Sequence, residues 1–198
     1  MNKALLLKTT LALALATPLL ASAESQLIVG GTASAVARLD FRVIVPRVLF
    51  LGVGTGAATL GNDSTINQVT FDYTTNPAGV GTGAAAGSIT GNVVPVRVVG
   101  NNGQVTLAAS TTGALTNVAG DAIPWSEISA TTSLAALPSP VIPNTGAGVA
   151  SNVTLSSGTK VTDRSANWTF SYANTAVVAP GTYGTTINGR VTYTAAMP

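Results

Sequence analysis

Residues 27–45, Leu-Ile-Val-Gly-Gly-Thr-Ala-Ser-Ala-Val-Ala-Arg-Leu-Asp-Phe-Arg-Val-Ile-Val, carry the strongest pattern in this sequence. Every odd-numbered position of the run is apolar or glycine. The even positions include polar residues: Thr32, Ser34, Arg38, Asp40 and Arg42. Successive side chains of a β-strand point to opposite faces, so this alternation predicts a strand with one dry and one wet face. Ile28, Val36 and Ile44 break the pattern, which is cleanest over 32–43.

Shorter alternating runs follow along the chain, separated by the Gly, Pro and Asn residues that are typical of turns. The helical period is absent. The predicted strands cover residues 48–51, 69–73, 94–98, 105–107, 123–131, 149–155, 168–172 and 186–195. About eight or nine short strands with this punctuation predict an all-β fold of the immunoglobulin-like β-sandwich type. A closed barrel is the structural alternative.

The composition excludes several kinds of chemistry. The chain has 198 residues, no His, no Cys and only 8% charged residues. A Ser-His-Asp triad, a Cys nucleophile and a Cys/His zinc site therefore have no residues to use. The carboxylates Asp72 and Glu127 fall on predicted strands, where a solvated face is the simplest interpretation. We predict no catalytic residue, no cofactor and no metal site, and hence no enzyme.

The first 23 residues have the organisation of a cleaved signal peptide. Lys3 and Lys8 form a basic start, residues 11–20 are apolar, and Ala21-Ser-Ala23 is a small-x-small cleavage site. Removal of this segment takes two of the nine basic residues and leaves seven against seven acidic ones. The mature chain is therefore expected to be neutral, exported, without a membrane span and without affinity for nucleic acid.

Two loop features stand out. The heptapeptide Gly-Val-Gly-Thr-Gly-Ala-Ala occurs at 52–58 and again at 79–85, without the Gly-Lys-Ser/Thr ending of a phosphate-binding loop, and it predicts flexible turns. The Pro-rich stretch 138–146 predicts a rigid loop that crosses from one sheet to the other. Trp125 and Trp168 each belong to an alternating apolar set, which favours packing in the core.

The N-terminal extension 24–37, which precedes a predicted sandwich domain over 38–198, is a candidate donor strand. Such a strand is added to the sheet of another subunit, where alternate side chains fill a groove and the backbone completes the ladder. The candidate inward-facing residues are Leu27, Val29, Gly31, Ala33 and Ala35. The sequence leaves open whether this extension folds on its own chain or on another.

The chain resembles the chaperone–usher fimbrial subunits, or pilins, of Gram-negative bacteria. The resemblance comes from the signal peptide, the alternating extension, the Thr/Ala/Gly/Val-rich sandwich and the closing stretch 180–195, in which Pro-Gly-Thr-Tyr leads into a final alternating run. It implies that this final strand borders an open acceptor groove. The groove-edge residues that it implies are Ile187, Gly189, Val191 and Tyr193. The missing cysteines place the chain with a cysteine-free class, and Met197-Pro198 extends past the usual end.

The resemblance further implies a structural protein of a surface fimbrium that passes through the periplasm. Its partners would be other copies or related subunits, a periplasmic chaperone and an outer-membrane usher. The alternative from a different class is a self-contained exported binding module or adhesin. That module would recognise a glycan or a protein through the loops at 52–65, 79–90 or 138–148.

Overall fold

The computed structural model describes residues 25–32, 34–184 and 188–198. The predicted signal peptide, 1–23, lies outside the described residues. The chain divides into two units, Met1–Val45 and Pro46–Pro198. The described residues of the first unit contain no strand and no helix, so the alternation of 27–45 does not form a ladder within this chain. Every strand of the described chain belongs to the second unit.

The second unit is built almost entirely of β-strands, which confirms the prediction of an all-β fold. The strands are β1 (Leu49–Val53), β2 (Thr70–Asp72), β3 (Ser88–Thr90), β4 (Val93–Gly100), β5 (Thr106–Thr111), β6 (Leu115–Thr116), β7 (Ala122–Ile123), β8 (Ile128–Thr132), β9 (Gly146–Ala147), β10 (Ser151–Asn152), β11 (Thr162–Tyr172) and β12 (Thr192–Ala196). Short 3₁₀ turns cover Gly54–Ala58, Pro77–Gly79 and Trp125–Glu127.

Two antiparallel sheets account for most of these strands. The first has the order β1-β4-β11-β8, and the second has the order β10-β5-β12, with β9 also paired to β5. The longest ladder joins β11 to β4, from Thr162 opposite Gly100 to Thr169 opposite Val93. In the second sheet, Tyr193 lies opposite Ala109 and Ala195 opposite Leu107. Two further pairs, β2–β3 and β6–β7, form separate hairpin-like ribbons.

The core lies between these two sheets because each sheet turns one apolar row towards the other. In β4 the buried row is Val94, Val96 and Val98, whereas Arg97 between them is only partly buried. Leu107 of β5 and Trp168 of β11 are fully enclosed. Burial of large apolar side chains stabilises by about 1.5–3 kcal/mol each, so these residues contribute substantially to the stability of the fold. The layout is that of a β-sandwich.

One side of the two sheets is closed by the chain that links β8 to β9. Leu137 and Pro140 of this loop are fully buried, and the carbonyl of Leu137 accepts a hydrogen bond from the Trp168 indole at 3.3 Å. The Thr132 hydroxyl donates to the same carbonyl at 2.9 Å. The loop leaves the first sheet at β8 and reaches the second at β9, which confirms the predicted crossing of the Pro-rich stretch.

The predicted strands differ from the observed ones mainly in length. The run 123–131 is interrupted because Trp125 begins a 3₁₀ turn and donates its indole N–H to the carbonyl of Gly113 at 2.7 Å. The run 149–155 keeps only the two residues of β10. The last strand begins at Thr192 instead of residue 186, and residues 185–187 lie outside the described chain. Both tryptophans are buried, as predicted.

The two copies of the heptapeptide form turns, as predicted, and each turn is organised around an asparagine side chain. Asn67 Oδ1 accepts from the backbone N–H and the hydroxyl of Thr55 at 3.0 and 3.2 Å. In the second copy, Asn174 Oδ1 accepts from Gly81 N–H at 2.7 Å. The third residue of each copy, Gly54 or Gly81, has a left-handed backbone with φ of 81° or 72°. Glycine adopts this conformation without steric cost. The two copies otherwise differ, since Gly52 and Val53 end β1 before the 3₁₀ turn Gly54–Ala58, whereas Gly79 ends the 3₁₀ turn Pro77–Gly79.

Asn174 is the stronger of these two anchors, because it is buried and its Nδ2 also donates to the carbonyls of Gly79 and Ala84, at 2.6 and 3.0 Å. We expect Asn174→Ala to lower the free energy of unfolding by about 2–4 kcal/mol, because buried polar groups left without a partner each cost about 1–3 kcal/mol. Urea denaturation measures this loss.

Asn174 itself has a positive φ of 53°. A second variant, Asn174→Gly, therefore removes the side chain without straining the backbone, and we expect it to lose most of the same stability. Asn62→Ala, at an exposed asparagine, is the control and should stay within about 0.5 kcal/mol of the wild type. Equal stability of Asn174→Gly and the wild type would contradict the anchoring role.

Candidate functional site

The first and last strands of the second unit lie side by side without pairing. β1 ends the first sheet and pairs only with β4, and β12 ends the second sheet and pairs only with β5. Their Cα atoms approach within 8 Å, yet no ladder joins the two strands among the residues that the structure describes. We call β1 together with Val191–Met197 the open edge. An unpaired strand edge presents N–H and C=O groups that can template a further strand.

The side chains of the open edge are apolar and only partly covered. Leu51 and Val53 of β1 pack against the core while staying partly exposed. On the other strand the same holds for Val191, Tyr193, Ala195 and Met197. The opposite side of the sandwich is sealed by the buried Leu137 and Pro140. The two sides therefore differ, and apolar surface remains accessible at the open edge.

Tyr193 is the largest side chain of the open edge. Its ring packs against the fully buried Trp168, with 5.1 Å between ring centroids and an interplanar angle of 55°. The Tyr193 hydroxyl is buried and, among the residues that the structure describes, has no hydrogen-bond partner. Burial raises the pKa of Tyr193 well above its ordinary value of 10. A buried hydroxyl without a partner is costly. The hydroxyls of Ser139 and Thr162 share this feature, so it is not confined to the open edge.

Polar contacts fix one end of the open edge. The Arg47 guanidinium donates to the carbonyl of Met197 at 3.0 Å and so ties the start of β1 to the end of β12. Asn101 binds the link that precedes β1. Its Oδ1 accepts from Val48 N–H at 2.8 Å, its Nδ2 donates to the Pro46 carbonyl at 2.8 Å, and its backbone N–H donates to the Val48 carbonyl at 3.3 Å. Residues 46–48 therefore continue the pairing of β1 with β4.

The structure brings part of the predicted acceptor set to this edge. Tyr193 lies in β12, and Val191 and Gly189 precede that strand and are half-buried. Ile187 lies outside the described residues. The sequence analysis missed the contribution of β1, namely Leu51 and Val53. The apolar run 48–51 predicts a short strand, and no local signal shows that it neighbours the last strand.

The predicted donor residues lie in the first unit. Leu27 and Val29 are 88% exposed, and Gly31 and Ala35 are also exposed. Ala33 lies outside the described residues. Gly30 and Gly31 both have φ of 81°, which is a left-handed conformation and not that of a strand. These residues therefore show exposed apolar side chains interrupted by a bend.

The carboxylates predicted to be solvated are held by neighbouring threonines. Asp72 Oδ1 accepts from the Thr74 hydroxyl and from Thr74 N–H. Glu127 accepts in the same way from Thr175. These hydrogen bonds lower the pKa of both carboxyl groups. Asp72 thus stabilises a local turn, whereas Glu127 links its 3₁₀ turn to the segment that follows β11. In the described part of the chain, no group of three or more acidic residues is placed to hold a metal ion.

A shallow depression of about 370 Å³ lies on the outer face of the first sheet. It is lined by the first heptapeptide turn together with polar residues of the sheet, among them Arg97, Ser165 and Asn167. Arg97 Nε is 3.2 Å from Asp163 Oδ1, so its charge is already paired. The depression is open and most of its lining surface is apolar, and it lies away from the core face of β4 and β11.

Comparison with protein-family models, with curated proteins and with solved structures gave no match for this chain. Among the described residues, no helix has the length and apolar character needed to cross a membrane. The identity of the chain therefore depends on its own residues and geometry.

We expect Tyr193→Phe to be at least as stable as the wild-type monomer, because the substitution removes a buried hydroxyl that has no partner. The matched control is Tyr73→Phe, since the Tyr73 hydroxyl donates to the carbonyl of Ala84 at 2.8 Å. The control should lose about 0.5–1.5 kcal/mol in urea denaturation. A larger loss for Tyr193→Phe than for Tyr73→Phe would show that the Tyr193 hydroxyl does have a partner.

Tyr193 also makes the stability of the folded chain depend on pH. Because the pKa of Tyr193 is raised in the folded chain, the folded state keeps its proton while the unfolded state loses it above about pH 10. The stabilising contribution is therefore complete below pH 10 and is lost as the pH rises further. We expect the urea midpoint of the wild type to decrease as the pH rises from about 9.5 to 11.5, roughly the span over which a tyrosine titrates. The urea midpoint of Tyr193→Phe should decrease less. Parallel curves would contradict this.

Proposed function

We propose that this protein is a structural subunit of a bacterial surface fimbria, in which each copy donates an N-terminal strand to the open edge of another copy. The observation that carries the proposal is the pair of neighbouring edge strands, β1 and β12, which form no ladder with each other among the described residues and carry partly exposed apolar side chains. In this proposal the two sheets form an immunoglobulin-like sandwich that is incomplete until the added strand arrives.

The same chain carries a segment suited to that role. Apolar side chains of the first unit are exposed at alternate positions, among them Leu27 and Val29 near its start and Phe41 and Val43 near its end. A strand added to an exposed sheet edge gains main-chain hydrogen bonds, and its alternate side chains supply the specificity. Assembly of this kind needs no catalytic group, which agrees with a sequence that has neither His nor Cys.

The proposed strand donation also implies partners and a cellular location. Before assembly, the open edge of a free subunit would attract other strands, so a periplasmic chaperone is expected to cover it and an outer-membrane usher to pass the subunit on. The mature protein would then reside in the fimbrium at the cell surface.

One observation favours a second candidate, an exported binding module or adhesin. The depression on the outer face is lined by polar groups that can hydrogen-bond a ligand, including Ser165 and Asn167. Val141 and Val149, on the loops that flank β9, are 81% and 86% exposed, and they offer apolar surface for a protein partner. In this alternative the chain would be complete as a monomer.

Deletion of residues 25–45 separates the two candidates. We expect the mature chain, refolded at rising concentration, to form oligomers that resist SDS at room temperature and dissociate on heating. The deleted chain should stay monomeric, because β1 and β12 keep their edges but receive no strand. Circular dichroism is the control for folding of the deleted chain. Monomers from the full mature chain would support the binding module, and oligomers from the deleted chain would overturn strand donation from this segment.

A further inference from the structure

The end of the first unit, residues 39–45, presents four apolar side chains on alternate positions. Leu39, Phe41, Val43 and Val45 are 76%, 86%, 84% and 73% exposed. Asp40 and Arg42 lie between them, so one face of an extended strand would be apolar and most of the other polar. Contiguous exposed apolar surface of this kind in a soluble chain indicates a surface that another element covers.

The backbone of this stretch suits a strand, whereas that of the sequence-predicted donor does not. Residues 34–45 contain no turn or bend. In contrast, residues 30–32 form a bend, in which Gly30 and Gly31 are both left-handed. Neither glycine has a side chain to bury. A donor centred on 27–35 would therefore insert Leu27 and Val29 followed by glycine and alanine, and it would first have to straighten two residues.

The open edge offers apolar surface that large side chains can cover. Its partly exposed apolar groups come from both sheets, with Leu51 and Val53 on one strand and Tyr193 and Ala195 on the other. A phenylalanine buries about 150–250 Å² when it is enclosed, far more than the alanines of the earlier segment.

Hydrogen bonds at the link between the segment and β1 favour donation to another copy. To fold back beside β1 of its own chain, the segment would need a turn within residues 46–48. Asn101 holds this link by three hydrogen bonds to Pro46 and Val48, in line with the β1–β4 ladder. A turn there would break these bonds and leave their groups without partners.

We therefore propose that residues 39–45 of one copy occupy the open edge of a second copy of this chain, with Leu39, Phe41, Val43 and Val45 facing its core. This inference depends on the proposed function, and it replaces 27–35 as the inserted part of the segment. Residues 25–38 would then extend beyond the edge and make few buried contacts.

Matched aspartate substitutions in the full mature chain test this assignment. We expect Phe41→Asp and Val43→Asp each to lower the amount of SDS-resistant oligomer at least tenfold, because a carboxylate would be buried without a partner. Leu27→Asp, at a side chain of similar exposure, should leave the oligomer within about twofold of the wild type, as expected for a surface position. All three residues are exposed in the single chain, so the urea midpoints of the monomers should agree.

A conservative variant and a peptide complete the test. Phe41→Leu should restore most of the oligomer, because an apolar side chain again fills the site. A synthetic peptide of residues 37–46, added in excess during refolding, should shorten the oligomers by occupying open edges, and a peptide of residues 26–36 should not.

The outcomes separate the inference from the proposed function. If Leu27→Asp abolishes the oligomer and Phe41→Asp does not, the assignment to 39–45 is overturned while strand donation stands. If the chain lacking 25–45 still forms the oligomer, strand donation itself fails. Loss of oligomer in Phe41→Asp and Val43→Asp alone, with unchanged monomer stability, is the expected result.

Discussion

A β-sheet edge carries N–H and C=O groups that need a partner, and in this protein β1 and β12 present two such edges next to each other. The side chains around them, among them Leu51 and Tyr193, reach the core yet remain partly exposed. Proteins generally disrupt or cover the edge strands of their sheets, because an exposed apolar edge strand promotes association with other chains. Here the crossing loop seals one side with Leu137 and Pro140, and the other side is the one to which we propose that a second copy adds a strand.

The rest of the unit keeps that edge in place. Trp168 of β11 connects the two sides of the unit, since its indole donates to the Leu137 carbonyl of the sealed side and its ring packs against Tyr193 of the open side. The ladder between β4 and β11 carries the apolar row on which both strands rest. In a chain without cysteine this packing replaces the disulfide that many exported domains use.

In this weakly charged chain, asparagine side chains hold several loops in place. Asn67 and Asn174 each hold one copy of the heptapeptide turn, and Asn101 holds the link before β1. An amide both donates and accepts, so one side chain can satisfy several loop backbone groups. The ion pair Arg97–Asp163 lies at the surface, where such pairs contribute little.

The amino-acid pattern by itself determined the all-β class, the burial of Trp125 and Trp168, the turns at the repeats and the crossing of the Pro-rich loop. These follow from alternation, side-chain size and backbone restriction, which act over a few neighbouring residues. Only the tertiary structure decided that β1 neighbours β12 and that Asn174 reaches back to the turn at 79–84. These features depend on which distant residues meet, and no local period encodes that choice.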